Sequence, residues 1–299
     1  MTAANVPILR STAAAYAFLI SHWQRALLAA APYTLAYLAQ LVLLGSVDAA
    51  TASPALAMLS FMLSLATVVA SLALSASCLR MAVLGDYSGR FGLKAGQDEW
   101  RIFLVGLLVS LLTMIVFVLI FMFWATVANS VAGAALQSSG VAPEEAGLEL
   151  ADAMAYMSNA GWVIVVVTGL MGAGMMTWLS ARLVMAFPAT IADHKIRVLS
   201  VWPLSDGNAT RIAVALILTS LPLFVLEVGA YELLCAILGS RPLYAPFTVG
   251  PDATNIEAFA SLQEYMRWNG LMAFLNVPVF SGLYAYIYRN RIAARDGRG

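Results

Sequence analysis

Six long stretches of this chain carry no charged residue: Ala26 to Val47, Ala49 to Leu79, Ile102 to Pro143, Ala153 to Ala181, Ile212 to Leu226 and Trp268 to Tyr288. A helix rising about 1.5 Å per residue crosses a hydrocarbon core of about 30 Å in about 20 residues. Five of the stretches reach that length, and the one opening at Ile212 does so if Glu227 lies inside the span. The stretches show no period-2 alternation and far exceed the roughly 9–11 residues of a barrel strand. Backbone groups left unpaired in lipid cost several kcal/mol each, so helices are the conformation open to these segments. The expected fold is all-α: a polytopic membrane protein forming one integral membrane domain over residues 1–299. Its six spans lie at about 26–47, 55–80, 102–128, 160–184, 212–237 and 267–288 and form three hairpins.

Composition agrees. Hydrophobic residues make up 62% and charged residues 11%, with a mean hydropathy of +0.84. Soluble domains sit near about 45–50% and about 25%, so a water-soluble globule and a disordered chain are both excluded. Lys plus Arg and Asp plus Glu number 16 each, which removes any electrostatic reason to expect a nucleic-acid partner. Sidedness follows from the cations. With the N-terminus in the cytoplasm, every Lys and Arg except Arg241 and Arg267 falls in an inner segment, and both termini lie inside. The uncharged opening Met1 to Pro7 predicts no cleaved signal peptide. Cys78 and Cys235 fall near opposite ends of their spans, too far apart for the roughly 7 Å that a disulfide tolerates; both are expected to be free thiols.

From Pro7 to Gln24, the residues Ile8, Thr12, Tyr16, Leu19, Ile20 and Trp23 recur at helical spacing, which predicts an amphipathic helix along the inner surface. The Ala run at 13–15 blurs that pattern and leaves an irregular tail as the alternative. Odd spans open on an arginine (Arg25, Arg101, Arg211) and even spans close on one (Arg80, Arg182, Arg289). Either a triplicated hairpin or the positive-inside rule alone produces this. Pro143 with Glu144 and Glu145 reads as a helix start, with Leu150, Met154 and Met157 on one face; Thr254 and Glu257 read as a capping box. Gly169, Ala173, Thr177 and Ala181 form a small-residue stripe in the fourth span, and Thr67, Ser71 and Ser75 form another in the second. Both are expected packing faces, within the chain or toward a second copy or another membrane protein. The bulky third span is expected to face lipid on one side.

Catalytic signatures are missing. There are two histidines, His22 and His194, and neither H-E-x-x-H, a phosphate-binding glycine loop, C-x-x-C nor G-x-S-x-G occurs. The expectation is a non-enzymatic protein without cofactor or metal. Asn208-Ala209-Thr210 matches a glycosylation sequon on the wrong side of the membrane. Two sets of polar residues remain. Arg80, Arg101, Arg182, Arg211 and Arg289 stand at span ends, at phosphate depth, where arginine binds lipid head groups bidentately or merely anchors helices. Glu227 lies 16 residues past Arg211, roughly 24 Å along a helix, and a carboxylate at that depth needs a partner. Gln40 and Asn276 reach comparable depth, so Gln40, Glu227 and Asn276 are expected to line a polar pocket in the outer half. The competing reading has Glu227 snorkelling outward with Glu232 to pair with Arg267 or Arg241. Pro32, Pro222 and Pro278 are expected kink sites.

The fourth-to-fifth connection carries a family likeness. Arg182-Leu183-Val184-Met185-Ala186-Phe187-Pro188, then Ala192-Asp193, then Ser200-Val201-Trp202-Pro203-Leu204-Ser205-Asp206-Gly207-Asn208-Ala209-Thr210-Arg211-Ile212 resembles a family of bacterial six-helix inner-membrane proteins of unknown function. That family is similar to the membrane domain fused to some glycerophosphodiester phosphodiesterases. Asp206 stands where the family has a basic residue before Gly, which argues against phosphate binding by the loop. The resemblance implies fold and location in the cytoplasmic membrane, not an activity. The functional expectation is an envelope-maintenance protein that binds membrane lipids or a membrane partner; the alternative is a transporter or lipid-translocating protein built on the Glu227 pocket.

Overall fold

The computed structural model describes residues 5–46, 53–89, 91–92, 94, 96–139, 157–239, 265 and 267–295. Among them the chain is helical, with no strand: α1 (Ile8–Ser46), α2 (Pro54–Leu84), α3 (Gln97–Ser138), α4 (Asn159–Leu183), α5 (Ala186–Asp193), a 3₁₀ turn (Leu199–Ser205), α6 (Ala209–Leu238) and α7 (Ala273–Arg295). Local chemistry sets several ends. Ser53 caps α2, its Oγ accepting from the N–H of Leu56 at 3.4 Å, with Pro54 behind it; Ser158 caps α4 through the N–H of Gly161 at 3.2 Å. Gly85 ends α2 in the left-handed conformation.

Five helices are long and apolar enough to cross a membrane: α1, α2, α3, α4 continued by α5, and α6. The chain is a multi-pass membrane protein. Large apolar side chains such as Leu111, Phe121, Phe123, Val163, Leu170 and Leu233 point outward with half or more of their surface uncovered, as lipid-facing residues do and a water-soluble surface does not. The expected sixth span is α7, preceded by helical residues 267–271 and a break at Met272. It falls short of the other five in apolarity because it carries Asn276, Arg289, Asn290 and Arg291, and it has no need of lipid: it packs in the middle, against α1, α2, α5 and α6.

The N-terminal segment is a helix, bent away from the rest of α1 at His22, whose φ of −123° and ψ of 17° leave the helical region. Ser21 donates to the carbonyls of Ala17 and Phe18 at the bend. This helix does not simply rest on a surface. Val6, Ser11 and Ala15 are buried in the core formed with α6 and α7, and the Tyr16 hydroxyl donates to the carbonyl of Thr219 at 2.6 Å. The small residues that blur its amphipathic pattern are what allow the close approach. A Cβ on Gly282 of α7 would stand 2.7 Å from Phe18 Cβ and 3.2 Å from the Ala15 carbonyl.

The fourth-span stripe is only partly used. Ala173 is exposed, and α4 meets α3 instead along Gly161, Val165, Gly169 and Gly172, against Val131, Trp124 and Ile120. Four residues turn a helix by about 400°, so an every-fourth-residue stripe drifts about 40° per step off a straight partner. Cys78 and Cys235 are both free and buried. The readings on Pro143 to Met154 and on Thr254 and Glu257 fall outside the described residues; Met157, at the edge, is buried against Ala128, Ala132 and Val165.

Candidate functional site

Glu227 comes 18 residues after the start of α6, about 27 Å along the helix, and is 4% exposed. One carboxylate oxygen, Oε1, accepts from Asn276 Nδ2 at 2.5 Å; the other, Oε2, accepts from Asn269 Nδ2 at 2.8 Å. The backbone carbonyl of Glu227 accepts from Trp268 Nε1 at 3.0 Å. Among the described residues no lysine or arginine pairs with the carboxylate. Amide dipoles satisfy its lone pairs without supplying a counter-charge, so the site can receive a cationic or hydrogen-bond-donating group.

The two sides of this carboxylate differ. Toward the end of the bundle that holds residue 238, Tyr231, one turn beyond Glu227, meets Tyr265 edge-on at 5.7 Å and Trp268 at 6.4 Å. On the other side, Asn276 lines a cavity of about 280 Å³ with Ser75 and Leu79 of α2, Phe187 of α5, and Val277, Phe280, Ser281 and Tyr284 of α7. Asn276 Oδ1 is buried with no hydrogen-bond partner among the described residues. A buried carbonyl left unpaired costs about 1–3 kcal/mol, a cost that a ligand donor would remove. A second cavity of about 180 Å³ is lined by Val109, Thr113, Ser180 and Leu216 together with the same Phe187 and Tyr284. The two hollows therefore share one aromatic wall.

The structure brings together Glu227 and Asn276 of the expected pocket but not Gln40, whose Nε2 donates to Ser64 Oγ at 3.0 Å and ties α1 to α2. Of the competing pairing partners, Arg267 is exposed and not bonded to Glu227, and Arg241 lies outside the described residues. Asn269 and Trp268 were not anticipated. Their signal was present: Asn269 precedes Asn276 by seven residues, two helical turns, on one face.

The five arginines gather at one end of the bundle, and each is held by protein atoms. Arg80, 3% exposed, pairs with Glu99 and reaches the Gly92 carbonyl at 3.4 Å. Arg101 bonds Asp98 at 2.8 Å and Gln97 at 2.9 Å. Arg211 reaches the Val6 carbonyl at 3.4 Å, and Arg289 caps α2 through the carbonyls of Ala82 and Val83. Arg182 pairs with Asp206, bonds Ser205 Oγ at 3.2 Å, and lies over the rings of Trp178 and Trp202 at 5.1 and 5.5 Å. The rest of the 182–212 connection is equally occupied. Arg291 Nε donates to the Leu204 carbonyl at 2.6 Å, and Asn208 Oδ1 accepts from the N–H of Val6 at 2.7 Å. Gly207, at φ 70°, makes the turn that brings Asp206 and Asn208 into place.

Comparison with known protein families, with curated proteins and with solved structures found no match to this chain.

Proposed function

We propose that this chain is a non-enzymatic carrier for a small solute bearing an amine or ammonium group, with Glu227 as its anionic centre. The reading includes six spans in three hairpins, with α7 as the sixth and both termini in the cytoplasm. Fourteen of sixteen basic residues on one side support that sidedness. The resemblance of residues 182–212 to a bacterial inner-membrane family supports placement in the cytoplasmic membrane. One observation carries the function: a carboxylate deep in the bundle, held by two neutral amides and no cation, with Asn276 joining it to an open cavity. Ionisable groups at such depth are costly and mark solute or ion pathways. The aromatic group of Tyr231, Tyr265 and Trp268 supplies a closed side and the cavity an open one, as alternating access requires.

A panel of small organic amines, screened for thermal stabilisation of the purified protein and then for uptake into proteoliposomes, tests the reading. A ligand at 100 times its Kd stabilises by about 2.7 kcal/mol. At least one amine should stabilise and enter with the wild type and do neither with Glu227→Gln. Uptake that survives the substitution, or no stabilising amine, overturns the carrier. A lipid-binding role, the other expectation, is better supported by the groove between α2 and α3 than by the five arginines, each of which already bonds protein atoms.

A further inference from the structure

Independently of the carrier reading, we infer that the cleft between α2 and the start of α3 binds one phospholipid with a net negative head group. The cleft has two parts that share Lys94, Gly96 and Glu99. Its apolar part, about 510 Å³, is walled by residues 65–73 of α2 and by Trp100 and Phe103, whose rings stack at 5.2 Å. Residues 65 to 73 give about 12 Å of apolar wall, room for much of one acyl chain. The polar part, about 350 Å³, adds Arg80, Asp98, Arg101 and His194. The medium beside an outward-facing groove on α2 and α3 is lipid, so a lipid chain is the occupant at hand.

Charge selects the head group. Arg80 is matched by Glu99, and Arg101 by Asp98, which His194 also approaches at 3.3 Å. Three permanent cations thus face two carboxylates, and the positive charge left over sits on Lys94, exposed and without a salt bridge among the described residues. A lipid lying in the apolar part places its phosphate beside that ammonium. A zwitterionic head group gains less there, since its own cation meets the surplus charge.

The experiment uses the purified full chain in detergent. Phosphatidylglycerol and phosphatidylcholine, each brominated on an acyl chain, are titrated against it. Quenching of Trp100 is isolated by subtracting the Trp100→Phe variant. Phosphatidylglycerol should quench Trp100 at about fivefold lower concentration than phosphatidylcholine, the factor that one lysine contributes at a membrane surface. Lys94→Gln should abolish that preference, while Arg267→Gln, at an exposed arginine remote from the cleft, should leave it intact. Equal quenching by the two lipids, a preference that survives Lys94→Gln, or an equal loss with Arg267→Gln overturns the site.

Discussion

The basic end of the bundle and the Glu227 pocket are two places where this apolar chain concentrates polar groups, and they use them in opposite ways. At the basic end each of the five span-end arginines finds a charge, a carbonyl or an aromatic face: Arg80 with Glu99, Arg182 with Asp206 between two indoles, Arg289 on the last carbonyls of α2. These contacts join α2 to α3 and α7, and α4 to the connection before α6. At Glu227 the charge is met only by neutral amides, and Asn276 Oδ1 beside it is unpaired. A fully matched network has its work done on folding. An unmatched charge whose amide partner lines a cavity leaves interaction free energy for something that arrives later.

Breaking the matched network should therefore unfold the protein rather than alter a specificity. Arg80→Ala strands the Glu99 carboxylate at a side-chain exposure of 15%. Removing one partner of a buried pair costs about 3–5 kcal/mol, whereas replacing both with apolar residues is often neutral. The denaturation midpoint in a mixed-detergent titration should fall sharply for Arg80→Ala and recover for Arg80→Met with Glu99→Leu. No recovery would mean that the pair does more than hold α2 on α3.

Next in size is truncation at the pocket. Glu227→Ala leaves the half-buried Asn276 amide without its acceptor, at about 1–3 kcal/mol for an unpaired buried group, while the exposed Asn269 amide is rehydrated. The same titration should show a loss of about 1–3 kcal/mol. Arg182→Ala should cost less, about 1–2 kcal/mol. Asp206 keeps 63% of its side chain in solvent and is rehydrated when its partner leaves, so the loss is mainly the guanidinium–indole contact. Arg182→Lys separates the two contributions, because lysine keeps the charge and loses the planar stack.

What the chain discloses before folding follows the same division. Helix positions were legible, since the apolarity of a span is a sum over neighbours in sequence: α2 starts at Pro54 against an expected 55, α4 runs 159–183 against 160–184, and α6 209–238 against 212–237. Depth put Glu227 and Asn276 at comparable levels and left two readings open, a shared pocket or an outward pairing of Glu227 with Arg267 or Arg241. Lateral arrangement was not legible. Gln40 has the right depth and the wrong neighbour, Ser64, because depth says nothing of rotation about the helix axis. Asn269 was hidden by its nearness to Arg267, which marked that turn as the end of a span. The N-terminal helix could not be seen to wedge between α6 and α7 until Gly282 stood opposite Ala15 and Phe18.

The smallest stability change bears hardest on the comparison. Glu227→Gln keeps the shape of the side chain and one acceptor oxygen, so Asn276 or Asn269 retains its bond and the other faces an amide nitrogen. Against the lost acceptor stands relief from desolvating a carboxylate without a counter-charge, and the two oppose each other. The net shift in denaturation midpoint should stay within about 1 kcal/mol, of either sign, while uptake and amine-dependent stabilisation disappear. A large loss of stability with Glu227→Gln would place the carboxylate among the structural contacts, like those of Arg80, and leave the cavity beside Asn276 without a charged centre.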